Sequence, residues 1–144
     1  MTQFICKTYS DLSKDDVYEI LKLRQEVFVV EQQCCYLDAD SIDQYSRHLM
    51  ILDDNVIVSY MRIIPKEKLY KEVSFGRILV KKTHRGIGLG KEIVNKAIDL
   101  CLIEDKIIIS AQSYLKRFYE DLGFSAFGEE FLEDEIPHIK MLRS

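Results

Sequence analysis

The stretch of this chain best equipped for chemistry lies between Phe75 and Val94. Phe75–Val80 has an apolar strand pattern and Lys81–Arg85 is a polar turn; glycines follow at 86, 88 and 90, ahead of an amphipathic helix pattern. Glycine has no Cβ to obstruct a tight turn, so successive N–H groups can face one concavity. A helix opening near Gly88 adds the positive end of its dipole, and Arg85 and Lys91 flank the turn. Such a receptacle suits phosphate or pyrophosphate. Spacing separates the known phosphate loops. A P-loop requires Gly, four residues, Gly-Lys and then a hydroxyl residue, but Arg85 stands where the first Gly belongs and Glu92 where the hydroxyl belongs. A dinucleotide loop requires Gly-x-Gly-x-x-Gly. Counted from Gly86 its third glycine falls on Lys91, and counted from Gly88 on Ile93. The pattern that fits is Arg-x-x-Gly-x-Gly, carried by Arg85, Gly88 and Gly90. A glycine-rich turn with no ligand is the competing reading of the loop alone.

Periodicity predicts the elements around this loop. Residues 3–9 read as a first strand. Ser13 offers a helix N-cap with Asp16 in capping-box position. Val17, Ile20, Leu21, Val27 and Phe28 then recur at helical spacing, which predicts an amphipathic helix over 14–28. Arg24 falls on the same face and is expected to snorkel or pair. The segment 29–47 is irregular; its Asp38, Asp40 and Asp43 lack the Gly and Glu that a calcium loop needs. It reads as a partly ordered loop near a ligand. His48–Leu52 and Val56–Ile64 are strands joined by the hairpin turn Asp53–Asn55, and Val73–Val80 completes a meander. After the glycine loop, Ile93, Val94, Ala97, Ile98, Cys101 and Leu102 share one helix face. The apolar run 106–111 predicts a strand buried on both faces, parallel to its neighbour through a helical crossover. A helix over 113–122 ends at Gly123 as its C′ residue. Phe124–Phe131 and His138–Arg143 form a closing antiparallel pair with Pro137 just outside, and Tyr114, Phe118 and Phe124 are expected in the core. No repeat or linker interrupts this order, so residues 1–144 read as a single α/β domain.

The totals exclude several classes of function. A chain of 144 residues can bury a sizeable core. A net charge of -4 argues against a broad nucleic-acid face, which needs clustered Lys and Arg. No run approaches the roughly 20 apolar residues of a membrane span, and no export signal is visible, so a cytoplasmic location is expected with no membrane partner. Cys6, Cys34, Cys35 and Cys101 show no metal-ligand spacing, so free thiols and no metal are expected, with Cys6 and Cys101 in the core.

Two motifs in sequence resemble one family. The Arg85–Gly90 loop resembles the acetyl-CoA pyrophosphate loop of the GCN5-related N-acetyltransferases (GNAT family). Phe118–Phe124 resembles that family's aromatic-Tyr-x-x-x-Gly-Phe segment, and the element order along most of the chain is the same. Leu23-Arg24, Val27–Gln32, Arg47–Leu49 and Glu133–Ile139 are similar to the ElaA-like branch, apart from Glu135, where that branch tends to have Gly. The resemblance implies a mixed, mostly antiparallel central sheet with splayed middle strands, flanked by helices.

It also implies transfer of an acetyl group from acetyl-CoA to a primary amine, on a small molecule or a peptide, by direct attack in a ternary complex. The pyrophosphate would lie on Arg85, Gly86, Ile87, Gly88, Leu89, Gly90 and Lys91, and the acyl end along Ile78, Leu79 and Val80, with Val80 N–H the candidate oxyanion donor. Gln112 stands where the family often has an Asn facing the cofactor. Tyr119 matches the general acid that protonates the leaving thiolate. Glu31 is the first choice for general base, because it follows an apolar run and partial desolvation raises a carboxyl pKa. His48 and His138 are read as structural. Carboxylates at 31, 38, 40 and 43 could attract a cationic amine, or simply form a solvated acidic loop. The alternative reading is a non-catalytic acyl-CoA-binding sensor or interaction module. Either a monomer or a homodimer is compatible with exposed strand edges near the carboxyl terminus.

Overall fold

The computed structural model describes residues 1–144. The elements are β1 (Thr2–Thr8), α1 (Lys14–Arg24) running on into a π-helical stretch over Gln25–Glu31, β2 (Arg47–Asp53), β3 (Val56–Ile64), β4 (Val73–Val80), α2 (Leu89–Leu100), β5 (Ile107–Gln112), α3 (Lys116–Glu120), β6 (Ser125–Glu133) and β7 (Ile136–Arg143). The strands form one seven-stranded sheet in the order β1-β2-β3-β4-β5-β7-β6. Every neighbouring pair is antiparallel except β4 and β5, which run parallel. This is the mixed α/β architecture expected, a mostly antiparallel sheet whose middle strands separate. No helix is long and apolar enough to cross a membrane.

Local chemistry explains the ends of the elements. Ser13 and Asp16 make the full capping box, with Asp16 N–H donating to Ser13 Oγ and Ser13 N–H to Asp16 Oδ2, both at 3.0 Å. Past Glu120, Gly123 takes φ +93°. Gly123 N–H donates to Glu120 O and Phe124 N–H to Tyr119 O, closing a Schellman motif. Asp54 and Asn55 both adopt positive φ in the β2–β3 turn, the main-chain form that matches strand twist. The β6–β7 turn does the same with Asp134 (φ +51°) and Glu135 (φ +65°), so Glu135 holds a conformation that favours glycine.

Period-two alternation divides the apolar side chains between two clusters. Leu49, Ile51, Met61, Ile63 and Phe75 meet Ile93, Val94, Ala97 and Ile98 of α2 on one face. Met50, Tyr60 and Leu79 meet Ile20, Leu23 and Val27 of the α1 region on the other. Several residues leave their expected places. Cys6 is exposed, because β1 is an edge strand and its outer face has no covering helix. Leu102 lies past the end of α2 and is exposed, as is Tyr114, which stands at the mouth of the sheet. Pro137 lies inside β7, opposite Leu132. Pairing of β7 with β5 begins only at His138, so no ladder bond to β5 is demanded of the proline. In β5 burial alternates, because one face opens onto a cavity.

The loop between the π-helical stretch and β2 is held by charge. Arg24, 1% exposed, donates through Nε to Asp38 (2.8 Å) and through Nη1 to Asp43 (2.7 Å). Arg62 donates to Asp40 (2.6 Å) and Asp43 (2.9 Å), and Arg77 lies 2.9 Å from Asp38 and 3.4 Å from Asp40. Three arginines thus balance three aspartates. Asp38, Asp40 and Asp43 are therefore committed to arginines and do not form the free acidic lure considered from sequence. Burial opposes ionisation of Asp40, but the Arg62 hydrogen bonds and the nearby charges of Arg62 and Arg77 outweigh it and hold its carboxyl at about 2. Removing one partner of such a buried pair costs about 3–5 kcal/mol.

His48 closes the same region. A carbonyl only accepts, so His48 Nε2–H donates to Asp43 O (2.9 Å), and Nδ1 accepts from Tyr60 Oη (2.7 Å). Burial pushes its pKa below the ordinary 6.5, and Arg24 and Arg62 facing it act in the same direction. The unfolded chain takes up this proton first. Stability present above pH 6.5 is therefore lost as pH falls below it, whereas the Asp40 contribution is lost only between about 4 and 2. Melting temperature measured against pH is expected to drop as pH falls from 6.5 toward the carboxylate range, and His48→Gln should remove most of that drop.

Candidate active site

Strands β4 and β5 pair only where Val73, Ser74 and Phe75 face Ile107, Ile108 and Ile109. Beyond Phe75 they diverge. On its other side β4 carries a bulge opposite Met61, where the β3–β4 register shifts and Arg77 adopts φ +51°. The divergence opens a cavity of about 1000 Å³ that runs from the glycine loop down to the meeting point of the strands.

Main-chain orientation follows from one hydrogen bond. Lys81 N–H donates to Val58 O (2.8 Å), which turns the next residue back, Val80, away from β3 and toward the split. Val80 O accepts from Arg85 Nε at 2.9 Å, and Val80 N–H faces the gap. Ile78, Leu79, Val80, Arg85, Gly86, Gly88, Leu89, Gly90, Lys91, Gln112, Tyr119 and Glu31 all line the cavity. Ile87 does not; its side chain is 68% exposed on the outside of the loop. Leu89 contributes main chain, since its side chain is buried in the core under α2.

The three glycines have different causes. Gly86 (φ +83°) and Gly88 (φ +89°, the N-cap of α2) need the left-handed conformation. Gly90 is already helical. A Cβ there would sit 3.6 Å from Phe118 Cζ and 3.7 Å from Val80 Cγ2, an ordinary contact, so this glycine is required neither by strain nor by clash.

Two residues with separate expected roles are joined in the structure. Arg85 grips Glu31 with both terminal nitrogens, Nη2 to Oε1 at 2.8 Å and Nη1 to Oε2. These hydrogen bonds, with the charge of Arg85 behind them, hold the Glu31 carboxyl below the ordinary carboxylate range. The expectation of a raised Glu31 pKa is therefore corrected: an arginine from across the cavity outweighs desolvation. The sequence offered no sign of this pairing, since 54 positions separate the two residues.

Tyr119 is packed edge-to-face against Phe118 (5.0 Å) and Phe124 (6.0 Å). Burial pushes its pKa up, so it stays a proton donor through neutral pH. Gln112 Nε2 donates to Gln32 Oε1 (3.2 Å), tying the end of β5 to the turn after the π-helical stretch. His48 lies outside the cavity in its structural network, whereas His138 lines it and is fixed by Ile136 O (2.6 Å). No cluster of His, Cys, Asp and Glu has the arrangement of a metal site. Sequence reasoning missed Arg62, Arg77 and Ser110 as cavity residues. Their only local signal is alternation on their strands, which does not distinguish a cavity wall from a core.

A family model described as an acetyltransferase (GNAT) domain matches residues 9–144. The chain belongs to the GNAT acetyltransferase family and, within it, to the ElaA-like branch. Protein ElaA of Escherichia coli is 36% identical over 140 residues, covering 94% of this chain and 92% of that protein. The crystal structure of Escherichia coli ElaA matches at a TM-score of 0.93 and 33% identity over 100% of both chains. An acyl-CoA N-acyltransferase from Pseudomonas aeruginosa matches at a TM-score of 0.92 and 36% identity over 99% of both. A UPF0039 protein from Synechocystis is 43% identical over 138 residues, covering 93% of this chain and 90% of that protein. At the level of its family the chain is an acyl-CoA-dependent N-acyltransferase.

The different causes of the glycines can be separated by thermal melting. Gly88→Ala puts a Cβ at φ +89° with nothing to strike, so strain alone should lower Tm by about 3–8 °C. Gly90→Ala should leave Tm level or slightly higher, since alanine suits a helix.

Proposed function

We propose that this protein transfers the acetyl group of acetyl-CoA to a primary amine by direct attack within a ternary complex. The observation that carries this reading is the split between β4 and β5, with Val80 N–H turned into it and Tyr119 and the glycine loop on its walls. The loop N–H groups and the start of α2 suit a pyrophosphate. The freed main chain of β4 suits the amides of a pantetheine arm laid between the strands. Val80 N–H then donates to the thioester carbonyl, where negative charge develops. The amine lone pair attacks that carbonyl carbon, and the tetrahedral intermediate collapses by breaking the C–S bond. The thiolate takes a proton from Tyr119 Oη. The amine gives up its proton, directly or through water, to Glu31.

The Arg85–Glu31 pair sets a condition on this scheme. While Arg85 holds Glu31, the carboxylate is a poor base and the guanidinium is not free for phosphate. A pyrophosphate competing for Arg85 releases both. Glu31→Gln removes the competing charge, so acetyl-CoA should bind several-fold more tightly while amine turnover falls. Calorimetry and thiol release read these two effects separately. A weaker acetyl-CoA affinity in that variant would contradict the competition.

Tyr119→Phe should lower kcat by about 10²–10⁴-fold with little change in acetyl-CoA affinity. Because burial raises the Tyr119 pKa, kcat in the native protein should show no alkaline fall below the ordinary tyrosine value of 10. Acetyl-CoA binding without transfer to any amine would instead favour the acyl-CoA-binding module.

A further inference from the structure

At the closed end of the split, three residues form a row across three strands. Arg62 of β3 faces Gly76 of β4 in the antiparallel register. Ser74 faces Ile108 in the parallel register, so two residues further on Gly76 looks toward Ser110 of β5, just past the last paired position. All three line the cavity. Arg62 is 2% exposed, its terminal nitrogens are spent on Asp40 and Asp43, and its Nε–H has no partner. Ser110 Oγ is likewise buried and makes no hydrogen bond of good geometry, with the Tyr70 hydroxyl near it. A Cβ on Gly76 would lie 3.7 Å from Arg62 Nε, so the glycine leaves open the space beside that donor. Buried polar groups are rarely left unpaired, and two in one row beside a cavity call for a ligand that pairs with both.

Their chemistry limits the ligand. Arg62 Nε can only donate, whereas Ser110 Oγ can donate or accept. The nearest charges cancel, since Arg24, Arg62 and Arg77 are balanced by Asp38, Asp40 and Asp43. Glu133 and Asp134 add negative charge to the cavity wall, whose other titratable groups include Cys34, Tyr36, Tyr70 and His138. The remaining cations stand elsewhere: Arg85 and Lys91 belong to the glycine loop, and Lys140, opposite Ser110 in the β5–β7 register, lies over the Tyr70 ring and outside the cavity lining. Glu133 and Asp134 disfavour a carboxylate. A neutral group offering both an acceptor and a donor fits.

Resting on the transferase reading above, we propose that Arg62, Gly76 and Ser110 form the acceptor subsite, and that it reads an amide next to the reacting amine. The amide C=O accepts from Arg62 Nε–H and its N–H donates to Ser110 Oγ, with Gly76 beneath. The acceptor class is then an amino amide or peptide amino terminus, in preference to a plain alkylamine or a free amino acid.

The test titrates an amino amide, the alkylamine of equal length and the corresponding amino acid into the protein–CoA complex by calorimetry, alongside thiol release from acetyl-CoA. The amino amide should bind at least about tenfold more tightly than either other amine. Gly76→Ala, which fills the space beside Arg62 Nε at ordinary contact distance, and Ser110→Ala should each shrink that ratio toward one. Unchanged CoA affinity in each variant checks its folding. Equal affinities, a preference for the carboxylate, no binding of any amine, or a ratio unmoved by both substitutions overturns the subsite. Preferential amide binding with no thiol release leaves the subsite standing and removes the transferase reading. Thiol release without amide preference does the reverse.

Discussion

The structure depends on one unmet pairing. A buried strand must find partners for its main-chain N–H and C=O groups, yet β4 and β5 pair at only three positions before they part. Beyond Phe75 the β5-facing side of β4 is left to other groups. Arg85 takes the carbonyl of Val80, and the N–H of the same residue faces the cavity. The bulge at Arg77 deflects β4 away from the β3 register at the same level, so the two distortions work together. A sheet this incomplete at its centre is stable only if its flanks are well anchored. Here α2 packs one face with an apolar cluster. On the other face α1 shares the work with ion pairs.

Those ion pairs explain why an irregular loop of this length can hold a wall of the cavity. Arg24 from α1, Arg62 from β3 and Arg77 from the bulge each reach into the segment that carries Asp38, Asp40 and Asp43. Each aspartate meets two arginines, so the loop is fastened to a helix and two strands at once. Arg77 Nε lies 2.9 Å from Asp38 Oδ1 without its N–H pointing at that oxygen, which fits a side chain carried by a distorted residue. Buried charge of this kind contributes little net stability compared with an apolar substitute, but it tolerates few alternative arrangements.

Much of the fold was legible because it rests on local rules. The boundaries of β3 and β4, the capping box at Ser13, the stop at Gly123 and the turn at Asp54-Asn55 all follow from residues within a few positions of one another. The glycine loop was legible for the same reason. What the sequence did not reveal are pairings across distance. Arg24 with Asp38, Arg62 with Asp40 and Glu31 with Arg85 are separated by 14, 22 and 54 positions, and no periodicity encodes them. Glu31 shows the consequence: its apolar neighbours suggested a raised pKa, and a residue from the far side of the cavity reversed the sign. Cys6 and Tyr114 were misplaced for a related reason. Hydrophobicity gives a tendency to be buried, and an edge strand or a cavity mouth withholds the partner.

The single parallel junction in the sheet also determines where an anion can be held. Two parallel strands cannot be joined by a hairpin, so the chain must leave the end of β4 and return to the start of β5 through a crossover, which here is α2. Chain direction then forces the first turn of that helix to lie beside the end of β4, the end at which the strands have separated. The opening in the sheet and the electropositive helix terminus at its lip are thus one topological event. A hairpin connection would have removed both.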